Sequence, residues 1–133
     1  MKPKIDFLTI AVTDLKKSVA FYKDGLGLPT QGIQEGNEEH CLFDLEHNFK
    51  LVLYSRNEFL GLTGNPHQAE KSAGFIMSYI ADSKEEVDAI LQRALKTGAT
   101  QIGQTQEEPW GYSANFADPD GHQWEITFMP HNQ

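Results

Sequence analysis

One pattern of predicted elements occurs twice in this chain of 133 residues, and this repeat limits the fold more than any other feature. In each half, an apolar run ends at an aspartate, an amphipathic helix follows, and three further strands are predicted after it. The two aspartates are Asp14 and Asp82, which displaces the second half by 68 residues. Neither half is large enough to cover its own sheet, so we expect the two halves to pair.

The first half, module one (residues 1–56), begins with a predicted strand at Ile5–Val12. Asp14 is expected to cap the helix that follows, because its side chain can accept from the exposed amides of the first turn. Apolar residues recur at helical spacing and predict one buried stripe: Leu15, Val19, Tyr22 and Leu26. Three strands are predicted after the helix: Thr30–Ile33, His40–Leu45 and Phe49–Ser55, the last two joined by a turn at residues 46–48.

A stretch with Gly, Asn and Pro and no clean period follows, and residues 57–73 are predicted to be a linker or long loop. Module two (residues 74–133) begins with a predicted strand at Gly74–Ala81. Its helix has two possible capping boxes, Asp82 with Glu85 or Ser83 with Glu86. The buried stripe of that helix is predicted at Val87, Ile90, Leu91, Ala94 and Leu95, and a short strand at Thr100–Gly103.

The last part of module two is predicted to be a β-hairpin. Its strands are Tyr112–Ala117 and His122–Phe128, and the turn is Asp118-Pro119-Asp120-Gly121. Asp opens such a turn, Pro presets φ, and Gly tolerates the positive φ that follows. Alternation places Glu125 on the polar face of the second strand, which makes it the first candidate for a functional residue.

Composition excludes several classes of function. The net charge of −8 argues against a nucleic acid or an anionic membrane as partner. The single cysteine, Cys41, excludes an intrachain disulfide. No apolar run approaches the roughly 18 residues that a membrane span needs, and the N-terminus lacks the shape of a signal peptide. We therefore expect a cytoplasmic protein.

The repeat, the opening AVTDLKKSVAFYKDGLGL and the closing FADPDGHQWEI resemble the vicinal oxygen chelate superfamily. This group includes glyoxalase I, extradiol dioxygenases, fosfomycin-resistance proteins, methylmalonyl-CoA epimerase and bleomycin-resistance proteins. The resemblance covers nearly the whole chain. It implies an α+β fold in which two βαβββ modules pair into a cupped, partly open barrel around one cavity, and it implies a homodimer.

The resemblance also implies where a metal would bind. In metal-dependent members, each module gives one ligand from its first strand and one from its last. These positions fall on Phe7 and on or near Val52 in module one, and on Phe75 and Glu125 in module two. Only Glu125 is of a ligand type, and a divalent ion needs at least about three protein ligands. We therefore expect no metal and no other cofactor.

A small-molecule pocket is the expected site. If Phe7 faces the cavity, alternation places Thr9 beside it, and Val52 brings Tyr54. In module two, Phe75 brings Met77 and Tyr79, with Trp110 and Tyr112 at the open side. The pocket would be aromatic with a few hydroxyl groups and one carboxylate. The rival interpretation is that these side chains fill the barrel as core.

Glu125 has three interpretations: an inert hydrogen-bonded carboxylate, a counter-ion for a cationic ligand, or a general acid/base whose pKa burial raises. The counter-ion is preferred, because a catalytic pair needs a second titrating group. His40, Cys41, Glu46 and His47 form a cluster in the sequence, but His40 and Cys41 point to opposite faces of a strand and cannot share one metal ion. We interpret His40, Glu46 and His47 as polar surface residues and Cys41 as a small core side chain. The preferred function is metal-free binding of a small apolar or aromatic molecule, including a cationic one. The alternative is a glyoxalase-like lyase or isomerase with an atypical metal site or with Glu125 acting without metal.

Overall fold

The structure is a computed structural model that describes residues 1–63 and 75–130. It is an α+β protein with two sheets, and the α+β prediction is confirmed. The chain divides into two compact units, Met1–Glu70 and Lys71–Gln133, which are described separately below. No helix in the described residues is long and apolar enough to cross a membrane.

Module one contains a three-stranded sheet with the order β1-β3-β2. Strands β1 and β3 are parallel, and β2 and β3 are antiparallel. The elements in chain order are β1 (Phe7–Val12), α1 (Leu15–Ala20), one π-helical turn (Phe21–Gly25), β2 (His40–Asp44), β3 (Lys50–Ser55) and α2 (Arg56–Thr63).

Helix α1 begins as predicted and buries a different set of side chains. Asp14 accepts a hydrogen bond from the main-chain N–H of Lys17, which confirms the cap. The predicted stripe is only partly correct, because Tyr22 is buried while Leu15, Val19 and Leu26 are half-buried. A π-helical turn over Phe21–Gly25 follows α1, so the regular helical spacing assumed in the prediction does not continue to Leu26. The fully buried residues of this segment include Ser18, Phe21 and Tyr22.

The strand predicted at Thr30–Ile33 is wrong in the structure. Thr30 makes one isolated bridge to Phe43, and Gly32 then turns the chain away with φ of +84°. Module one therefore has two of the three strands expected after its helix. The strands β2 and β3 lie within two residues of their predicted bounds.

The predicted linker begins with regular structure. Helix α2 occupies Arg56–Thr63, where a long loop was expected. Arg56 holds the start of this helix on the sheet, because its guanidinium donates to the carbonyl oxygen of Ala11 at 3.2 Å. The rest of the predicted linker, and the predicted start of the next strand at Gly74, lie outside the described residues.

Module two has the predicted order of strand, helix and three strands. Its sheet has the order β4-β7-β6-β5. The elements are β4 (Ile76–Ile80), α3 (Lys84–Lys96), β5 (Thr100–Glu108), β6 (Gly111–Ala117) and β7 (Gln123–Phe128). Strand β5 is longer than the short strand that we predicted, and its register shifts between Ile102 and Gln106, where Gly103 has φ of +65°.

The hairpin of β6 and β7 is confirmed, and so is its turn. The carboxylate oxygen Oδ1 of Asp118 accepts from the main-chain N–H groups of Asp120 and His122, each at 2.9 Å. Gly121 takes the positive φ of 89° that the turn requires. Asp118 is buried, so this turn is closed by hydrogen bonds that water does not supply.

The structure shows which of the two possible capping boxes begins helix α3. Ser83 is the N-cap and accepts from the N–H of Glu86 at 3.0 Å, while the Glu86 carboxylate accepts from the N–H of Asp82 at 2.7 Å. Asp14 caps α1, so its structural counterpart is Ser83 rather than Asp82. The repeat is therefore displaced by one residue more than the sequence pattern indicated, and the counterpart of Phe7 is Ile76.

Candidate functional site

One face of the module one sheet carries helix α1, and the other face forms a pocket. The register pairs Thr9 with Val52 and Val52 with Leu42, so these three side chains share the pocket face. A cavity of about 240 Å³ lies over this face. Its lining is Phe7, Thr9, Glu39, His40, Leu42, Val52 and Tyr54. The structure thus brings together all four site residues predicted in this module.

Tyr54 lies in a row of three rings beside this cavity. The His40 ring is stacked on Tyr54 with centroids 5.7 Å apart and an interplanar angle of 9°. Phe59 of α2 meets Tyr54 edge-on at 6.3 Å, and Phe59 is buried. Aromatic pairs at these separations are attractive and fix ring orientation. His40 and Tyr54 give the pocket an aromatic wall, and Phe59 packs against Tyr54.

The opposite face of the same sheet is core. Cys41 pairs with Leu53, and both side chains are buried. His40 pairs with Tyr54 and lies on the pocket face, so the prediction that His40 and Cys41 point to opposite faces is confirmed. The Cys41 thiol lies 3.3 Å from the hydroxyl of Thr30 and serves packing rather than the pocket over the sheet.

A second cavity lies along β2, at the edge of the sheet. It has a volume of about 310 Å³ and is more polar in its side chains than the first. Its lining is Gln31, Gly32, Gln34, Asn37, His40, Cys41, Leu42 and Asp44. His40 and Leu42 line both cavities.

In module two, Glu125 lies on the sheet face opposite to α3. It pairs with Ser78 on β4 and with Asn115 on β6, and it is half-buried. The hydroxyl of Ser78 donates to the Glu125 carboxylate at 3.2 Å. Exposed apolar side chains, Ile76 and Ile80, stand on the same face of the neighbouring strand. On β4, the side chains that share the face of Glu125 are a serine hydroxyl and two aliphatic groups, where aromatic rings were predicted.

Three residues predicted to line the cavity with Glu125 lie on the opposite face of the sheet: Met77, Tyr79 and Tyr112. Met77 pairs with Trp124 and is buried, so it belongs to the core under α3. Tyr112 donates its hydroxyl to Asp88 of α3 at 2.7 Å, which also places it on the helix side. The predicted positions of Met77 and Tyr79 on β4 are wrong because the repeat was aligned one residue off, and a shift of one residue exchanges the faces of a strand.

The remaining aromatic candidates of module two are placed as follows. Phe75 precedes β4 and lies 6.1 Å from the ring of His122. Tyr79 donates its hydroxyl to Glu86 of α3, on the helix side. Trp110 is 57% exposed in the turn between β5 and β6. Their roles in binding remain predictions.

The side chains at the four ligand positions do not fit a divalent metal. With the corrected displacement, the positions are Phe7, Val52, Ile76 and Glu125. Val52 is the structural counterpart of Glu125, since it pairs with Thr9 as Glu125 pairs with Ser78. Three of the four side chains have no lone pair to donate. Within the described residues, no three His, Cys, Asp or Glu side chains are grouped in a way that could hold a metal ion.

Three pocket residues were not predicted: Glu39, His40 and Leu42. His40 was interpreted as a solvated surface residue, and Leu42 was assigned no role. The sequence does contain a signal, because His40 and Leu42 are two residues apart and must share a face of their strand. The face that they share could be assigned only once the register of β2 on β3 was known.

Comparison with known proteins identifies the family. The sequence profile of the glyoxalase/bleomycin resistance protein/dioxygenase superfamily matches residues 4–126. The chain belongs to this superfamily. It is 30% identical over 126 residues to the uncharacterised protein YraH of Bacillus subtilis (strain 168), covering 92% of this chain and 95% of YraH.

Two other superfamily relatives are informative. The chain is 28% identical over 126 residues to glutathione transferase FosA of Serratia marcescens, covering 95% of this chain and 81% of FosA. The crystal structure of a glyoxalase-related enzyme from Fulvimarina pelagi matches with a TM-score of 0.82 and 22% identity, covering 96% of this chain and 89% of that one. The structural match shows that the glyoxalase fold is shared.

Proposed function

We propose that this superfamily member binds a small, partly aromatic or apolar molecule without a metal ion. The pocket over the module one sheet is the proposed binding surface. The observation that carries the proposal is that Phe7, Tyr54 and His40 give a cavity of about 240 Å³ aromatic walls, with apolar and hydroxyl groups between them. Such linings are typical of small-molecule sites, in which a few polar groups fix orientation.

The charge of the protein favours a cationic ligand. Glu39 supplies one carboxylate to the pocket lining, and the net charge of the chain is −8. We propose separately that Glu125 is a counter-ion for a cation bound at its own sheet face in module two, since its carboxylate is half-buried and keeps acceptor capacity beyond the bond from Ser78. We also propose a cytoplasmic homodimer that binds neither nucleic acid nor membrane, with the oligomeric state open to test by light scattering.

The experiment uses two probes of nearly the same shape, phenyltrimethylammonium and neutral tert-butylbenzene. Affinities are measured by two-dimensional amide NMR on the wild-type chain. Both probes should shift the amide signals of β1, β2 and β3. Tyr54→Ala should weaken both by roughly tenfold, because it removes one stacked ring. Shifts confined to other parts of the chain would contradict the proposed pocket.

The role of Glu125 is tested separately. Glu125→Gln keeps the shape and removes the charge, so it should weaken phenyltrimethylammonium by about tenfold or more and leave tert-butylbenzene unchanged. Ser78→Ala is the matched control, since it removes the hydrogen bond to the same carboxylate and keeps the charge. Equal affinity of wild type and Glu125→Gln for the cation would exclude the counter-ion role.

The alternative function is a glyoxalase-type lyase or isomerase. Similarity to FosA, which is named a glutathione transferase, supports an enzymatic function, although a transferase is neither a lyase nor an isomerase. Glu125 would then act as an acid/base without metal, or other side chains would supply an atypical site. Elemental analysis after dialysis against zinc, nickel or manganese tests the second version. Near-stoichiometric retained metal would favour the enzyme and contradict metal-free binding.

A further inference from the structure

His40 stands between two cavities. Its side chain lines the pocket over the module one sheet and also the polar cavity along the edge of β2. The ring is held in place by stacking on Tyr54, with an interplanar angle of 9°. Any molecule that fills the pocket over the sheet must therefore contact a fixed imidazole, and the charge of that imidazole becomes part of the recognition surface.

The surroundings of one ring nitrogen are unusual. Nδ1 of His40 is buried and makes no hydrogen bond within the described residues. It lies 3.5 Å from the Glu39 carboxylate oxygen Oε1, close enough for an ion pair although the hydrogen-bond geometry is not met. If Nδ1 carries no proton, two acceptors face each other. Protonation of the ring removes this conflict and creates an attractive pair.

Within the described residues, other charged groups lie on or next to the strands beside the ring. Asp44 is on the same face of β2, and Lys50 neutralises it at 2.7 Å. Arg56 follows β3, and its guanidinium donates to the carbonyl of Ala11. Glu39 is the ionisable group that lies 3.5 Å from Nδ1, so its interaction with the ring changes when the ring gains a proton.

We propose that His40 is a specificity-determining residue that sets which ligand charge the pocket accepts. This inference rests on the proposed function and deepens it. With His40 neutral, Glu39 gives the pocket a net negative charge and a cation is favoured. With His40 protonated, the ring adds a positive charge beside the ligand and neutralises Glu39. The pocket then discriminates against cations and retains its affinity for neutral aromatic molecules.

The test measures the affinity of the same two probes between about pH 5 and pH 8, the range in which imidazole titrates. Phenyltrimethylammonium keeps its charge throughout, so a change in its affinity reports on the protein. We expect its affinity to fall by roughly fivefold or more at the acidic end, and that of tert-butylbenzene to change by less than about twofold. His40→Gln should remove the pH dependence for the cation, since glutamine does not titrate. A parallel pH dependence for both probes, or an unchanged profile in His40→Gln, would overturn the proposal.

A second measurement tests the carboxylate beside the ring. At about pH 8, Glu39→Gln should weaken phenyltrimethylammonium by roughly fivefold and change tert-butylbenzene by less than about twofold, because the variant removes a charge from the pocket lining and keeps its shape. Unchanged affinity of Glu39→Gln for the cation would overturn the role of Glu39 on which the inference depends. If neither probe binds to the wild-type chain at any pH, the proposed function fails, whereas binding of both probes without any pH dependence contradicts this inference alone.

Discussion

Asp118→Ala is expected to be among the most destabilising single changes in the part of the chain that the structure describes. One carboxylate oxygen of Asp118 accepts from two main-chain N–H groups, those of Asp120 and His122, each at 2.9 Å. Asp118 is 3% exposed, and the two donor residues are also buried. Water cannot replace the lost acceptor without entering the turn.

The magnitude follows from these two bonds. A buried donor left without a partner costs roughly 1–3 kcal/mol, so two such donors would cost about 2–6 kcal/mol if independent. They share one oxygen and one turn, so we expect about 3 kcal/mol. This is a large part of the roughly 5–15 kcal/mol that stabilises a typical domain. The assay is urea unfolding followed by circular dichroism.

Asp118→Asn is the matched control for this prediction. Asparagine keeps an oxygen that can accept both N–H groups and changes only the charge, so the expected loss is about 1 kcal/mol. A loss below about 1 kcal/mol for Asp118→Ala would refute the reasoning, because the hydrogen bonds would then contribute little net stability. Equal losses for the two variants would show that charge, rather than the acceptor, matters at this position.

Four further changes test other parts of the described structure. Gly111→Ala should cost about 1–3 kcal/mol in urea unfolding, because the added Cβ would lie 2.7 Å from the carbonyl oxygen of Phe128. Ser83→Ala should cost about 1 kcal/mol through loss of the α3 cap, and Ser83→Asp should restore most of it. His47→Gly should stabilise by roughly 0.5–1 kcal/mol, because His47 has φ of 62°, and His47→Ala should give no such gain. The hydrogen bond to Asp88, then burial and nearby carboxylates, raise the pKa of Tyr112 above its ordinary 10.0. The stability from this neutral hydroxyl is therefore present below about pH 10 and lost as pH rises through the folded-state pKa. Asp88→Asn should move the tyrosinate absorbance titration of Tyr112 back toward lower pH, and an unmoved titration would contradict this cause.

Local signals in the sequence predicted much of the fold. The hairpin at the end of module two was correct because a turn of Asp, Pro, Asp and Gly is determined by its own side chains and backbone angles. The cap at Asp14 was correct for the same reason. The prediction of a strand at Thr30–Ile33 was wrong, because only Thr30 pairs with another strand before Gly32 turns the chain. Whether a short apolar segment pairs depends on tertiary contacts, which the local sequence does not show.

The pocket was predicted less completely than the fold, since it depends on how strands align. Alternation within one strand correctly grouped Phe7 with Thr9 and Val52 with Tyr54. Placing His40 beside Tyr54 requires the register between β2 and β3, which no single strand encodes. The ring stacking and the position of Glu39 follow from that register, so they could not be read from spacing alone.

The error in module two has one cause and a consequence for the site. The repeat was aligned on the two aspartates, whereas the helix caps that correspond are Asp14 and Ser83. A displacement of one residue leaves every helix and strand in place but exchanges the two faces of β4. Phe75 and Met77 were therefore assigned to the surface of Glu125, where the register places Ile76 and Ser78.

The corrected alignment replaces Phe75 by Ile76 at the third ligand position. Neither side chain has a lone pair, so with either alignment three of the four positions lack a metal ligand. What changes is the chemistry around Glu125. Its neighbours are a serine hydroxyl and aliphatic side chains rather than aromatic rings, which favours an anchor for a cation over an aromatic cage.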